Sequence, residues 1–193
     1  MIALRLARAE RMDFNGAREA VQLRARSRPE TEVMADAPSR PVYILNGPNL
    51  NLLGKREPHL YGHTTLREVE RRCAKVATGL GLAHFFGQSN EEGKLIAWVH
   101  EAREKKAGVI INPAGYSFTS VALMDALKAL EQPIIEVHIT NIHRREEHYH
   151  KSLVSLTAIG VICGLGPLGY ELALMAMAEQ YDARQAAPAR RRA

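Results

Sequence analysis

Short apolar runs recur along this chain with amphipathic stretches between them, and that alternation constrains the fold more than any other feature. "VYILNG" (42–47), "AHFFGQ" (83–88), "GVIINP" (108–113), "PIIEVHI" (133–139) and "TAIGVICGLG" (157–166) read as strands. Helices are predicted over 65–80, 92–106 and 119–131, with a closing helix over 168–181. Leu66, Val69, Cys73 and Val76 share one face of the first, and Leu95, Ile96, Val99 and Ala102 one face of the second, the spacing of an amphipathic helix. Strands that are apolar throughout, rather than at every second residue, need cover on both sides, which indicates a parallel sheet between helices.

Five such βα units over about 140 residues predict an α/β, flavodoxin-like, doubly wound five-stranded parallel sheet of order 2-1-3-4-5 with helices on both faces. Sheets of this kind bind ligands outside the carboxyl ends of their strands. Polar residues gather there: Asn46 and Asn49 after the first strand, Gln88, Ser89 and Asn90 after the second, Asn112 after the third, and His138, Thr140 and Asn141 at the fourth. A polar loop could explain any one of these, whereas four strand ends together predict one shared pocket.

The basic pI of 9.4 is a property of the ends. Residues 1–40 carry eight arginines against six acids, and 182–193 carry four against one, whereas 41–181 hold 14 basic and 14 acidic residues. A basic tail without a binding motif does not predict a nucleic-acid partner. The polar, Pro-containing stretch "EVMADAPSRP" divides the chain into an accessory or flexible extension over 1–40, a catalytic domain over 41–181 and a basic tail over 182–193. Met34 is a candidate natural start. Cys73 and Cys163 read as buried free thiols of a reducing compartment. No apolar run reaches the roughly 18 residues of a membrane span, so the expectation is a cytoplasmic protein with no membrane partner.

Several chemistries are disfavoured. "CGLGPLGY" contains GxGxxG, but fewer than 30 residues follow it and no further strand, so it lacks the context of a dinucleotide fingerprint and reads as a tight turn. His138, His143, His148 and His150 lie five, five and two apart, spacings that match no zinc motif, and no metal is expected. The loop "NGPNLNLLG" is unlike the Ser/Thr/Gly-rich phosphate loop of an FMN binder. No lysine sits in a strand core, which removes a Schiff base.

What remains suits proton transfer. Glu136 and His138 alternate onto one face of the fourth strand, and a carboxylate beside an imidazole orients it as a general acid. Arg56 and Tyr61 stand in the loop over the same sheet edge. A phenol titrates near 10 unperturbed, and a guanidinium beside it favours the phenolate. With amides nearby, the set provides a base, an acid and a carbonyl-stabilising site, as proton abstraction α to a carbonyl followed by β-elimination requires.

Over about residues 42–181 the chain resembles the type II 3-dehydroquinate dehydratases. The resemblance is carried in order by "ILNGPNLNLLGKREPHLYG", "QSNEEGKLIAWVHEA", "INPAGYSFTSVALMDAL", "IIEVHITNIHRREE" and "GVICGLGPLGYELAL". It implies a flavodoxin-like, cofactor-free enzyme, assembled as a homo-dodecamer (a tetramer of trimers), that removes water from a small-molecule substrate, 3-dehydroquinate, by anti elimination through an enolate. By the same resemblance Tyr61 takes the C2 proton with Arg56 favouring its phenolate, and Asn49 holds a water against the enolate oxygen. His138, oriented by Glu136, protonates the departing C1 hydroxyl. Asn112 contacts ring substituents and assists His138. The backbone N–H groups of Ile139 and Thr140 bind the carboxylate, and Asp125 reaches the site from a neighbouring subunit.

Two departures bear on the substrate. The family pattern has His where this chain has Phe118, and Arg where it has Tyr149; both family residues help bind ring hydroxyls. A phenyl cannot donate, and a buried hydroxyl left unpaired costs about 1–3 kcal/mol. Tyr149, or His148 and His150 beside it, could supply replacement donors. The expectation is therefore retained dehydratase chemistry with weakened or shifted affinity, the alternatives being a paralogue for a related cyclic hydroxy-ketoacid or a non-catalytic ligand-binding homologue.

Overall fold

A computed structural model describes residues 40–57 and 61–186 of the chain. The expected extension up to residue 39, with its candidate start at Met34, and the tail beyond 186 lie outside those residues. Within them the order is β1 (Pro41–Asn46), α1 (Leu66–Gly79), β2 (Ala83–Gln88), α2 (Glu92–Glu104), β3 (Gly108–Asn112), α3 (Tyr116–Thr119), α4 (Val121–Lys128), β4 (Ile134–His138), β5 (Gly160–Cys163) and α5 (Leu168–Ala186). All neighbouring strands pair in parallel, in the order β2-β1-β3-β4-β5, as the alternating pattern predicts.

Each face of the sheet closes its own core. Val42, Ile44, Ile110, Ile135 and Val137 pack with Val69 and Cys73 of α1 and Tyr170, Leu174 and Met177 of α5. From the other face Tyr43, Leu45, Val109, Ile111 and Ile134 meet Leu95 and Val99 of α2 and Leu123 and Leu127 of α4. β3 and β4 are buried along their whole lengths, which is why they read as unbroken apolar runs. Tyr181 of α5 fastens the opposite end of the sheet, donating to the Pro41 carbonyl (2.5 Å) and accepting from the Gly108 N–H (2.6 Å).

Five expectations are adjusted. The helix expected over 119–131 is the shorter α4, preceded by a separate short helix α3 that ends at Thr119; the two are parted at Ser120, whose extended backbone (φ −94°, ψ 96°) starts a new helix and whose side chain accepts from the Leu123 N–H. No α-helix joins β4 to β5; three 3₁₀ turns do, at Ile142–Arg144, Glu147–Tyr149 and Val154–Leu156, so the last crossover is not a βα unit. β5 keeps four residues of the ten expected, set between the 3₁₀ turn that ends at Leu156 and Gly164, whose left-handed backbone (φ 85°) turns the chain out of the sheet. Cys73 is buried as a free thiol, and burial pushes it up to about 12, but Cys163 on that edge is only half-buried. The closing helix also runs past residue 181 to Ala186. Asp182 on it pairs with Arg40 (3.1 Å). Among the described residues no helix is long and apolar enough to cross a membrane.

Candidate active site

The loops after β1, β3 and β4 converge on one cavity of about 170 Å³ at the carboxyl ends of the strands. Close backbone approach makes this possible. The Gly47 N–H donates to the Asn112 carbonyl (2.8 Å), and a Cβ at Gly47 would fall on the Pro113 carbonyl. Asn49 takes a left-handed backbone, φ 68°, a conformation that asparagine tolerates better than most residues. Its N–H donates to the Asn90 side chain (3.0 Å), which also accepts from Gln88 (3.0 Å). Ala114, likewise on the cavity wall, has φ 50°, a strained value for a residue with a Cβ.

Asn112 is held from behind. Its Nδ2 donates to the Tyr170 hydroxyl (2.9 Å), which donates to Asn46 Oδ1 (2.7 Å), while Asn46 Nδ2 donates to the Gly87 carbonyl (3.0 Å). Burial pushes the Tyr170 phenol well above its usual range, so it remains a neutral donor in this chain of amides. The GxG turn has a structural task here: the N–H groups of Gly164 and Gly166 donate to the carbonyls of His138 (3.2 Å) and Ile139 (3.0 Å). Gly164 has φ 85°, and a Cβ there would meet Asn141.

His138 and Glu136 share the face expected from strand alternation. His138 Nε2 lies 2.8 Å from Glu136 Oε1, so Nε2 faces the carboxylate and Nδ1 is the remaining ring nitrogen. Glu136 is fully buried. Its Oε1 also accepts from Ser152 (2.6 Å) and Ser117 (3.3 Å), and its Oε2 from Ser155. Burial pushes the carboxyl up, but the donors from His138, Ser152 and Ser155 outweigh it and hold the group below the ordinary glutamate value of 4.5.

Across the cavity stands Tyr61, whose hydroxyl accepts from the Arg145 guanidinium (3.1 Å). Arg56 also lines the cavity, but its Nε is paired with Glu57 (2.9 Å). The cation on the phenol is thus Arg145, a residue that sequence reasoning missed because "HRREEHYH" drew attention to its histidines. The Arg145 guanidinium lies 3.9 Å from the Tyr149 ring centroid, and His150 donates from Nε2 to the Arg145 carbonyl (2.8 Å). Phe118 meets Tyr149 edge-on (5.2 Å between centroids) and stacks towards His138 (6.1 Å). An aromatic wall therefore occupies the side where ring-hydroxyl donors were in question.

Asn49, Arg56, Tyr61, Asn112, Phe118, His138, Ile139, Thr140 and Tyr149 all line this one cavity, with Glu136 buried behind His138. His148 and His150 stand outside the lining. Asp125 does too, on an exposed face of α4 where it pairs with Lys128 (3.3 Å). The three serines on Glu136 were also missed; Ser152 and Ser155 offered only a spacing of three in "SLVS", too common a pattern to single out. Among the described residues no three His, Cys, Asp or Glu side chains converge as a metal would require.

Comparison with known proteins gives consistent matches. The model of the family described as dehydroquinase class II matches residues 40–178. A 3-dehydroquinate dehydratase 1 of Agrobacterium fabrum is 55% identical over 136 residues, covering 70% of this chain and 94% of the relative. A 3-dehydroquinate dehydratase 2 of Pseudomonas aeruginosa is 54% identical over 145 residues, covering 75% and 98%. The crystal structure of a type II dehydroquinase from Propionibacterium acnes superposes with a TM-score of 0.71 at 45% identity, covering 73% of this chain and 97% of that one.

Proposed function

Because this chain belongs to the class II dehydroquinase family, we propose that it is a hydro-lyase that dehydrates 3-dehydroquinate to 3-dehydroshikimate without a cofactor. The observation that carries this reading is one cavity holding a phenol under a guanidinium, Tyr61 and Arg145, together with an imidazole backed by a carboxylate, His138 and Glu136. Arg145 offsets the negative charge of the Tyr61 phenolate, which takes the proton from C2. The electron pair passes to the ketone oxygen as an enolate, which Asn49 steadies by hydrogen bonding through a water. Collapse of the enolate breaks the C1–O bond, and His138 gives its proton to the leaving hydroxyl, which departs as water. The amides of Ile139 and Thr140 bind the carboxylate, Asn112 contacts ring substituents and assists His138, and Arg56 adds positive charge at the loop.

Turnover is followed by the absorbance of the conjugated enone product. Purified protein incubated with 3-dehydroquinate should form it, and Tyr61→Phe should lower kcat by about 10²–10⁴-fold, the range of general acid–base catalysis. Failure of the wild type to produce enone at any substrate concentration overturns the reading.

The aromatic wall favours a second reading, a related cyclic hydroxy-ketoacid lacking one ring hydroxyl. Phe118 offers no hydrogen bond, and the Tyr149 ring is packed against Phe118 and Arg145. Slow turnover of 3-dehydroquinate that Phe118→His or Tyr149→Arg improves would favour it, whereas tight binding without turnover would indicate a ligand-binding homologue. We also infer a cytoplasmic homo-oligomer, a dodecamer built from trimers, in which Asp125 serves a neighbouring site. The exposed position of Asp125, outside its own chain's cavity, supports that arrangement. The division into an extension over 1–40, a catalytic domain over 41–181 and a basic tail is part of the same proposal.

A further inference from the structure

Glu136 presents an energetic problem that the dehydration scheme leaves open. A carboxylate with no solvent exposure is costly unless its oxygens are satisfied. Here the donors are His138 on its own strand, Ser117 of α3, and Ser152 and Ser155 from the connection between β4 and β5. Among the described residues His138 is the only ionisable group paired with it. The pair shares one proton in two ways. With the proton on Nε2, the pair is carboxylate and imidazolium, and Nδ1–H is acidic. With that proton on Glu136, the pair is neutral, and Nδ1–H belongs to a neutral imidazole, a far weaker acid. Apolar surroundings favour the neutral pair, and hydroxyl donors on the carboxylate favour the ionic one.

We propose that Ser152 and Ser155 are positioning residues whose hydroxyls keep Glu136 ionised, so that the shared proton stays on Nε2 and His138 offers an acidic Nδ1–H to the departing hydroxyl. This rests on the dehydratase reading for its catalytic meaning, while the protonation of the pair is independent of any substrate. The same two serines tie a second part of the site to Glu136. They lie on the connection that carries Arg145 and Tyr149, which the Leu153 N–H also fastens to the Ser117 carbonyl (2.7 Å). One carboxylate therefore anchors both the imidazole and the segment that brings a guanidinium to Tyr61. The rigid support of a reacting group by buried hydrogen bonds is what lets geometry persist through turnover.

Ser155→Ala and Ser152→Ala, singly and together, test this against Ser→Thr at the same positions. Two measurements are made: kcat and KM across pH, and the ¹⁵N resonances of His138 in protein labelled at histidine. The double alanine variant should lose about tenfold or more in kcat, a part of what general acid catalysis contributes, with KM little changed. Its Nε2 signal should move from a protonated to an unprotonated position, and the single threonine variants should restore both. A uniform fall in activity with the Nε2 signal unmoved overturns the proposal, as does an unaltered kcat. If the double variant does not fold, Ser155→Ala alone is held to the same two readouts. Should the wild type fail to turn over 3-dehydroquinate, the dehydratase reading falls, and the ¹⁵N measurement still decides whether the serines hold the pair ionised.

Discussion

Glu136 and Arg145 each act on the site through a neighbour, Glu136 through His138 and Arg145 through Tyr61. Glu136 is buried, yet its donors hold its carboxyl below 4.5, so the folded state binds that proton less tightly than the unfolded chain. The sign follows directly: the stabilisation is present above about pH 4.5 and is lost as pH falls through the lower folded value. Replacing Glu136 by Gln should cost about 1.5–3 kcal/mol at pH 7, the scale of hydrogen bonds to a charged group. The gap between wild type and variant should narrow in urea unfolding as pH drops below 4.5. A gap that stays constant from neutral to acid would mean that Glu136 is not ionised in the fold. The Glu136–His138 pair was legible because strand alternation places residues two apart on one face. Arg145 was not, since nothing in sequence tells which of two loop guanidinia reaches a phenol when the donor and Tyr61 are 84 positions apart.

Among the elements, strands were easier to read than the connections that make the site. β3 and β4, buried on both sides, leave unbroken apolar runs, whereas the segment from Asn141 to Leu156 has no single face to bury and turns three times instead. Its order comes from long-range bonds to Glu136 and Ser117 that no local periodicity encodes. The break at Ser120 shows the same limit on a smaller scale. "FTSVALM" carries a good N-cap residue, yet an apolar period running through it reads as one helix. The cap has a function in positioning Phe118, because ending α3 at Thr119 fixes the short helix that presents this ring to the cavity. Ser120 is buried and accepts from Leu123 at 2.8 Å. Ser120→Ala should therefore lower stability by about 1 kcal/mol, read as a shift in the urea midpoint at unchanged m-value. Ser120→Thr should lose much less. Equal losses in both would assign the effect to packing rather than to the cap.

At the scale of the whole molecule, the topology was the most legible feature, because right-handed βα crossovers leave few ways to arrange five parallel strands. The cavity follows from it, at the strand ends where the chain reverses direction. The question that topology alone leaves for the assembly is Asp125. It lies on α4 outside its own cavity, on the same face as Val121, an apolar residue 56% exposed. In the proposed trimer that face meets a neighbour, and each working site combines Tyr61 of one chain with Asp125 of another. Two impaired variants then complement each other. Tyr61→Phe lacks the base in its own site, and Asp125→Ala leaves its own cavity intact but withholds a group from the next. Equal amounts of the two, unfolded and refolded together, assort at random around a closed ring, so about a quarter of the sites receive both groups. Activity should rise towards that fraction of the wild type, well above either variant refolded alone, while light scattering records an unchanged mass. Recovery no greater than the mean of the separate variants would confine each site to one chain, and wild-type activity in Asp125→Ala would remove that carboxylate from the site altogether.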